Sequence, residues 1–202
     1  MPLAIFDLDN TLLSGDSDYL WGSYLVERGV VDPIRHKAQN QQFYADYQAG
    51  TLDIAAFLQF SLQPLAENRL EDLLRWREDF ITQKIRPLIS TAAKNLVESH
   101  RTAGDHLLVI TATNRFVTRP IVDYFGIQDL IATEPEQQDG YFTGKVAGIP
   151  SFQKGKVTRL HAWLAQQDIS IDGASFYSDS HNDLPLLQIV DNPVAVDPDG
   201  HL

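Results

Sequence analysis

Residues 3–6 read Leu-Ala-Ile-Phe, an apolar run short enough for a buried strand, and the run stops on Asp7. A second acid, Asp9, follows two positions on, and the hydroxyl of Thr11 two beyond that. A strand with no polar alternation belongs in a sheet covered on both faces, the ordinary condition of a parallel sheet. A strand of that kind cannot end on crowded carboxylates without a cation to balance them.

The pattern after this first strand is helical and stays so for a long stretch. Leu20, Trp21, Tyr24 and Leu25 recur at helical spacing, then Ile54, Phe57, Leu58 and Leu65, then Leu70, Leu73, Leu74, Phe80 and Ile81. From Arg86 onward helices and strands alternate. A helix over 88–103 stops near Gly104, a strand spans 106–111, and a helix over 115–125 stops near Gly126. A short strand at Leu130–Pro135 precedes a hairpin pattern around Asp139-Gly140. A helix over 155–167, a strand at 175–179, a helix that admits Pro185 in its first turn, and a strand at 193–197 close the chain. Strands separated by helices imply a Rossmann-like α/β core with a parallel sheet. Residues 1–14 and 86–202 are assigned to that core, and residues 15–85 to an inserted all-helical cap.

Composition narrows the function. The chain lacks cysteine, which removes disulfide scaffolds, thiolate zinc sites and cysteine nucleophiles together. Its net charge of −11 disfavours nucleic acid and anionic lipid as partners, so an anionic substrate needs a locally positive or metal-bearing site. No apolar run is long enough for a membrane span, and the first residues do not have the pattern of a secretory signal. A cytoplasmic protein is the expectation.

In open parallel sheets ligands bind beyond the carboxyl ends of the strands. The first strand ends at Asp7 and Asp9, the strand 106–111 at Thr111, and the strand 175–179 at Asp179. These three segments are expected to meet on one edge, under the cap. Asp7 and Asp179, with a backbone carbonyl and water, form a hard-oxygen set suited to Mg²⁺. Asp7 then serves as a nucleophile toward phosphorus, and Asp9 protonates the leaving alkoxide and activates water. Acid–base help of that kind is typically worth about 10²–10⁴-fold. Thr111 donates to the phosphoryl oxygens, and a lysine is needed to complete the charge balance.

Four segments resemble the motifs of the haloacid dehalogenase-like (HAD) phosphohydrolases. They are Asp7-Leu8-Asp9-Asn10-Thr11, Thr111 in "LLVITAT", a lysine in "FQKGKVTRL", and Asp179 with Asp183 in "YSDSHNDLPLL". The helical insertion and the hairpin "DGYFTGKVAG" are similar to the phosphoserine phosphatase-like subgroup. The resemblance implies Asp7 as nucleophile and Asp9 as acid/base. It implies Mg²⁺ held by Asp7, the Asp9 carbonyl and Asp179, with Asp183 supporting the metal shell. Of the two lysines, Lys156 is chosen over Lys154, because Leu160 and Trp163 follow it at the family's helical spacing. The implied substrate is a small soluble phosphorylated metabolite, phosphoserine- or histidinol-phosphate-like. Candidate contacts to it are Thr11, Asp16, Ala112, Asn114, Arg115, His181 and Asn182. Asp16 stands where phosphoserine phosphatases carry a Glu that meets the substrate ammonium, but it also suits a helix N-cap.

Trp21, Tyr24, Phe43, Tyr44 and Tyr47 either line the substrate pocket or form the cap's own core, and their helical spacing favours the core. A phosphotransferase or mutase on the same site, and a catalytically silent binding module, are the competing functions. Asp9 speaks against a dehalogenase.

Overall fold

The structure, a computed structural model, describes residues 2–202. Strand β1 (Leu3–Phe6) lies at the centre of a five-stranded sheet. Its partners are β2 (His106–Asn114), β3 (Asp129–Thr133), β6 (Ser175–Ser178) and β7 (Asn192–Ala195), in the order β3-β2-β1-β6-β7. Every pairing in this sheet is parallel. The chain moves outward from β1 on one side through β2 and β3, then returns to pair β6 on the other. The reversal leaves a crevice at the carboxyl ends of β1, β2 and β6.

The side chains of β1 alternate between two cores. Ala4 and Phe6 join one cluster, and Leu3 and Ile5 the other. Helices α5 (Thr91–Ala103) and α6 (Arg115–Tyr124) cover the first face. Helices α7 (Lys154–Gln167) and α8 (Leu184–Leu187) cover the second. Strand β2 runs on to Asn114, beyond the expected end at residue 111, because Asn114 pairs with Thr133 across an irregular stretch of ladder. That extension carries Thr111 and Thr113 past the body of the sheet and into the crevice.

The inserted segment consists of α1 (Ser17–Glu27), α2 (Pro33–Gln48), α3 (Ile54–Glu67) and α4 (Leu70–Phe80). A π-helical turn (Ile81–Ile85) and a 3₁₀ turn (Arg86–Leu88) return the chain to the core. Asp16, Asp32 and Asp53 cap α1, α2 and α3 with side-chain oxygens on free amides. Each such cap is worth about 1 kcal/mol. The neck of the insertion is closed by an antiparallel bridge between Leu13 and Ile89 and by the Ser14 amide on the Leu88 carbonyl at 3.0 Å.

The insertion has two unlike halves. Helices α1 and α4 are rooted in the sheet's first core: Trp21 meets Phe80 at 5.2 Å and Phe116 of α6 at 6.0 Å. Arg77 lies over the Phe116 ring at 4.5 Å and donates to its carbonyl. Helices α2 and α3 project over the crevice. A hairpin of β4 (Pro135–Gln138) and β5 (Tyr141–Val146) braces α3, and Gly144 there is so close to Ala66 that an added Cβ would stand 3.3 Å away. No helix among the described residues is long and apolar enough to cross a membrane.

Candidate active site

Asp7 follows the last residue of β1, and its amide donates to the Tyr177 carbonyl at 2.9 Å, so its backbone is still held by the sheet. Beyond Asp9 the chain folds back sharply. Asn10 adopts a left-handed conformation (φ 56°), which Asn tolerates better than most residues. The amides of Thr11, Leu12 and Leu13 then return to the Leu8 carbonyl. This turn takes Asp9 out of the strand direction and places Thr11 Oγ1 3.2 Å from Asp179.

The Asp9 carboxylate is fixed at both oxygens. The Ser17 amide at the start of α1 donates to one at 2.7 Å, and the Thr113 hydroxyl to the other at 2.8 Å. Burial and the nearby Asp16 charge push its pKa up to about 6, against the pull of those donors.

Lys156 lies beneath Asp7. Its Nζ is 2.9 Å from Asp7 Oδ1, and 2.7 and 2.8 Å from the two oxygens of Asp183. Burial alone would lower the lysine pKa, but Asp183 and Asp7 outweigh it and hold the ammonium firmly protonated. Ser178 Oγ donates to Asp183 at 2.7 Å, which completes the carboxylate's partners. The start of α7 must come very close to the preceding loop to deliver this lysine. At Gly155 an added Cβ would stand 2.1 Å from the Pro150 carbonyl oxygen, so only glycine fits. Lys154, two residues earlier, is exposed and pairs with neither acid.

Burial raises the pKa of Asp7 well above the ordinary carboxylate range; Lys156 opposes that shift, while Asp183 and Asp179 add to it. Asp179 is pushed up to about 6 by burial, with Asp183 adding. Among the described residues no three acidic or imidazole side chains converge as a ready-made metal cluster. Asp7 and Asp179 nevertheless offer hard carboxylate oxygens to one cleft, and the Asp179 charge adds to the raised pKa of Asp7. That chemistry fits Mg²⁺, which takes few protein ligands and keeps water.

These groups form the floor of a cleft of about 1090 Å³ beneath α2 and α3. Thr111, Ala112, Asp16, His181 and Asn182 also line it. Asp16 has a second duty, since its carboxylate accepts from the amides of Asp18 and Tyr19 at 2.9 Å. Two expected substrate contacts are not brought to the cleft. Arg115 is occupied elsewhere: its Nε lies 2.7 and 2.8 Å from the Glu134 oxygens, and it also donates to the Leu130 carbonyl. Asn114 is the buried N-cap of α6 and accepts from the Val117 amide at 3.2 Å.

Two features are absent from the sequence expectations, and a third is the less favoured of two alternatives. Thr113 orients Asp9, and its position two residues past Thr111 on the same strand was the available signal. The C-terminal segment forms one wall of the cleft, because Asp199 gathers the amides of His181, His201 and Leu202 and holds His181 Nδ1 at 2.7 Å. Phe43, Tyr44 and Tyr47 line the cleft, the less favoured of the two sequence expectations, whereas Trp21 and Tyr24 are buried in the cluster that continues into the sheet's first face. Helical spacing places residues on one face and leaves open what covers that face.

Comparisons with known proteins agree with this architecture. A histidinol-phosphatase of Neisseria meningitidis serogroup C is 49% identical over 204 residues, covering 99% of this chain and 92% of the relative. The crystal structure of a protein of unknown function from Bordetella pertussis Tohama I superposes with a TM-score of 0.92 at 43% identity, over 98% of this chain and 91% of that one. A phospho-aspartyl intermediate analogue of phosphoserine phosphatase shares the fold, with a TM-score of 0.70 at 17% identity over 96% of this chain and 85% of the other. The haloacid dehalogenase-like hydrolase profile matches residues 4–188, from β1 to the end of α8, and the chain belongs to that family of enzymes.

Proposed function

We propose that this chain is a Mg²⁺-dependent phosphomonoesterase of the cytoplasm. It hydrolyses a small soluble phosphate ester through an aspartyl-phosphate on Asp7, and histidinol phosphate is the favoured substrate. The observation that carries the reading is the buried Lys156 ammonium shared between Asp7 and Asp183 at the floor of a roofed cleft. An ammonium in that place keeps the nucleophile oriented and offsets the charge of an arriving phosphate dianion. Asp7, the Asp9 carbonyl and Asp179 would hold Mg²⁺, which when bound supplies further positive charge for the same approach.

Asp7 attacks phosphorus, and the bond between phosphorus and the ester oxygen breaks. Asp9 gives its proton to the departing alkoxide; with a pKa of about 6 it holds a useful protonated fraction near neutrality. Asp9 then takes a proton from water, the water oxygen attacks the aspartyl-phosphate, and phosphate leaves with Asp7 restored. Thr111, buried at the end of β2, donates to the phosphoryl oxygens. The cap excludes bulk water in the first step and admits one molecule in the second. The choice of histidinol phosphate is supported by the 49% relative, whose name states that activity.

The test is phosphate release from histidinol phosphate, phosphoserine, sugar phosphates and nucleotides with Mg²⁺ present. Histidinol phosphate is expected to have the highest kcat/KM, EDTA to abolish turnover, and added Mg²⁺ to restore it. A higher kcat/KM for another ester overturns the substrate; full activity in chelator overturns the metal; transfer of phosphate to added alcohols in preference to water converts the reading to a phosphotransferase.

A further inference from the structure

The outer half of the cap turns its aromatic residues toward the cleft. Phe43 and Tyr47 stand one turn apart on α2, and Phe57 of α3 meets Phe43 edge-on at 5.5 Å. All three line the cleft and are only partly covered. Behind them Phe43 rests on Phe60 at 5.3 Å, so the shelf is braced from the far side. In the rooted half of the cap, by contrast, Trp21 and Tyr24 are each 2% exposed. Rings left partly open toward a cavity, beside the buried Trp21 and Tyr24 of α1 and Phe80 of α4, are unspent apolar surface facing a ligand.

One hydrogen bond ties this shelf to the floor. Tyr47 Oη lies 2.7 Å from Ser180 Oγ, and Ser180 directly follows Asp179. The Tyr47 ring also lies 6.4 Å from Phe152 and 6.3 Å from His181, so core residues flank it. The floor groups touch the phosphoryl unit, which every phosphate ester shares, and they therefore cannot tell one ester from another. Discrimination has to come from whatever the leaving alcohol touches.

We propose that Phe43, Tyr47 and Phe57 form the subsite for the leaving alcohol and select phosphate esters whose alcohol carries a flat aromatic or heteroaromatic ring. This inference rests on the phosphatase reading above. The rings offer edge and face contacts to a planar group, and such contacts are lost with a ringless alcohol.

The test compares histidinol phosphate with phosphoethanolamine. Both carry a phosphate and an amino group, and only the first carries a ring. The wild-type enzyme is expected to have the higher kcat/KM for the ring-bearing ester. In Phe43→Leu, Phe57→Leu and Tyr47→Leu the ratio of the two kcat/KM values falls by about tenfold, which corresponds to about 1.4 kcal/mol. Tyr47→Phe, which keeps the ring, keeps the ratio near that of the wild type. Each ratio is taken on one preparation, so a loss of folded enzyme cancels. An unchanged ratio in the three Leu variants overturns the subsite, as does a wild-type preference for phosphoethanolamine. Release of phosphate by the wild type from neither ester nor p-nitrophenyl phosphate overturns the phosphatase reading, and the subsite with it.

Discussion

At the floor of the cleft the charged atoms have named partners, whereas at the roof most of the surface has none. Lys156 is held by three carboxylate oxygens, Asp9 by two donors, and Asp183 by Lys156 and Ser178. The roof offers Phe43, Tyr44, Tyr47 and Phe57, and among their hydroxyls Tyr47 alone is tied to the core among the described residues, at Ser180. The two regions serve different needs. Chemistry common to all esters calls for charges pre-positioned in a low-dielectric place, where a misplaced group is costly. Selection calls for shape and apolar contact, where each group contributes modestly and a change shifts preference more than rate.

This contrast can be broken most severely at Asp7. Asp7→Asn is expected to remove turnover to the background of the assay while circular dichroism and the melting transition stay native-like; measurable phosphate release at wild-type rate would place the nucleophile elsewhere. Next in size is Lys156→Met. It leaves Asp7 and Asp183 buried beside each other with no cation, a type of change that costs about 3–5 kcal/mol. Urea denaturation should show a lower midpoint with an unchanged slope, and activity should vanish. No comparable change of a roof aromatic should behave this way.

Thr113→Val sharpens the comparison. It removes one donor from the Asp9 carboxylate without touching the phosphoryl site, and a hydrogen bond to a charged group is worth about 1.5–3 kcal/mol. The expected result is a kcat lower by roughly tenfold or more with KM nearly unchanged. A rise in KM alone would move Thr113 from orienting Asp9 to binding substrate.

The smallest effect concerns Asp18, which lies at the boundary of floor and roof. Burial, with Asp16 and Asp9 nearby, pushes it up from an ordinary 3.8 to about 8. A carboxyl whose folded pKa is raised binds its proton more tightly in the native state than in the unfolded chain. Stability therefore falls as pH rises from about 4 to about 8, where the native state still holds a proton that the unfolded chain has lost. Asp18→Asn removes this cost. The melting temperature of the variant should exceed the wild type's at pH 8, and the two should converge near pH 4. Identical pH profiles would show that Asp18 is not strained in the native state.

Much of the floor is legible in the sequence. An apolar run ending on Asp7 and Asp9, Thr111 after the next strand, Lys156 at a helix start and the Asp179/Asp183 pair after a later strand mark the ends of elements whose periodicity is plain. Once the sheet is parallel and doubly covered, those ends have to meet. Arg115 and Asn114 read as substrate contacts in the sequence, but their partners come from elsewhere in space: Glu134 holds the guanidinium, and the Val117 amide of α6 donates to the asparagine. Thr113 carries only the signal that alternation along β2 puts it on the same side as Thr111. For Phe43 and Tyr47 helical period favours a core over the pocket because it groups them with the buried aromatics of α1.

The amino-acid order by itself determined the alternating α/β core, the helical insertion and the residues that carry charge to the sheet edge. These are consequences of local periodicity, helix capping and strand ends, and short stretches of chain encode them. Only the tertiary structure decided which helix faces of the insertion are sealed and which open over the cleft. It also decided which polar groups near the edge were already taken, and that the C-terminal segment forms a wall. Those outcomes depend on contacts between residues far apart in the chain, where packing and partner competition settle what each side chain touches.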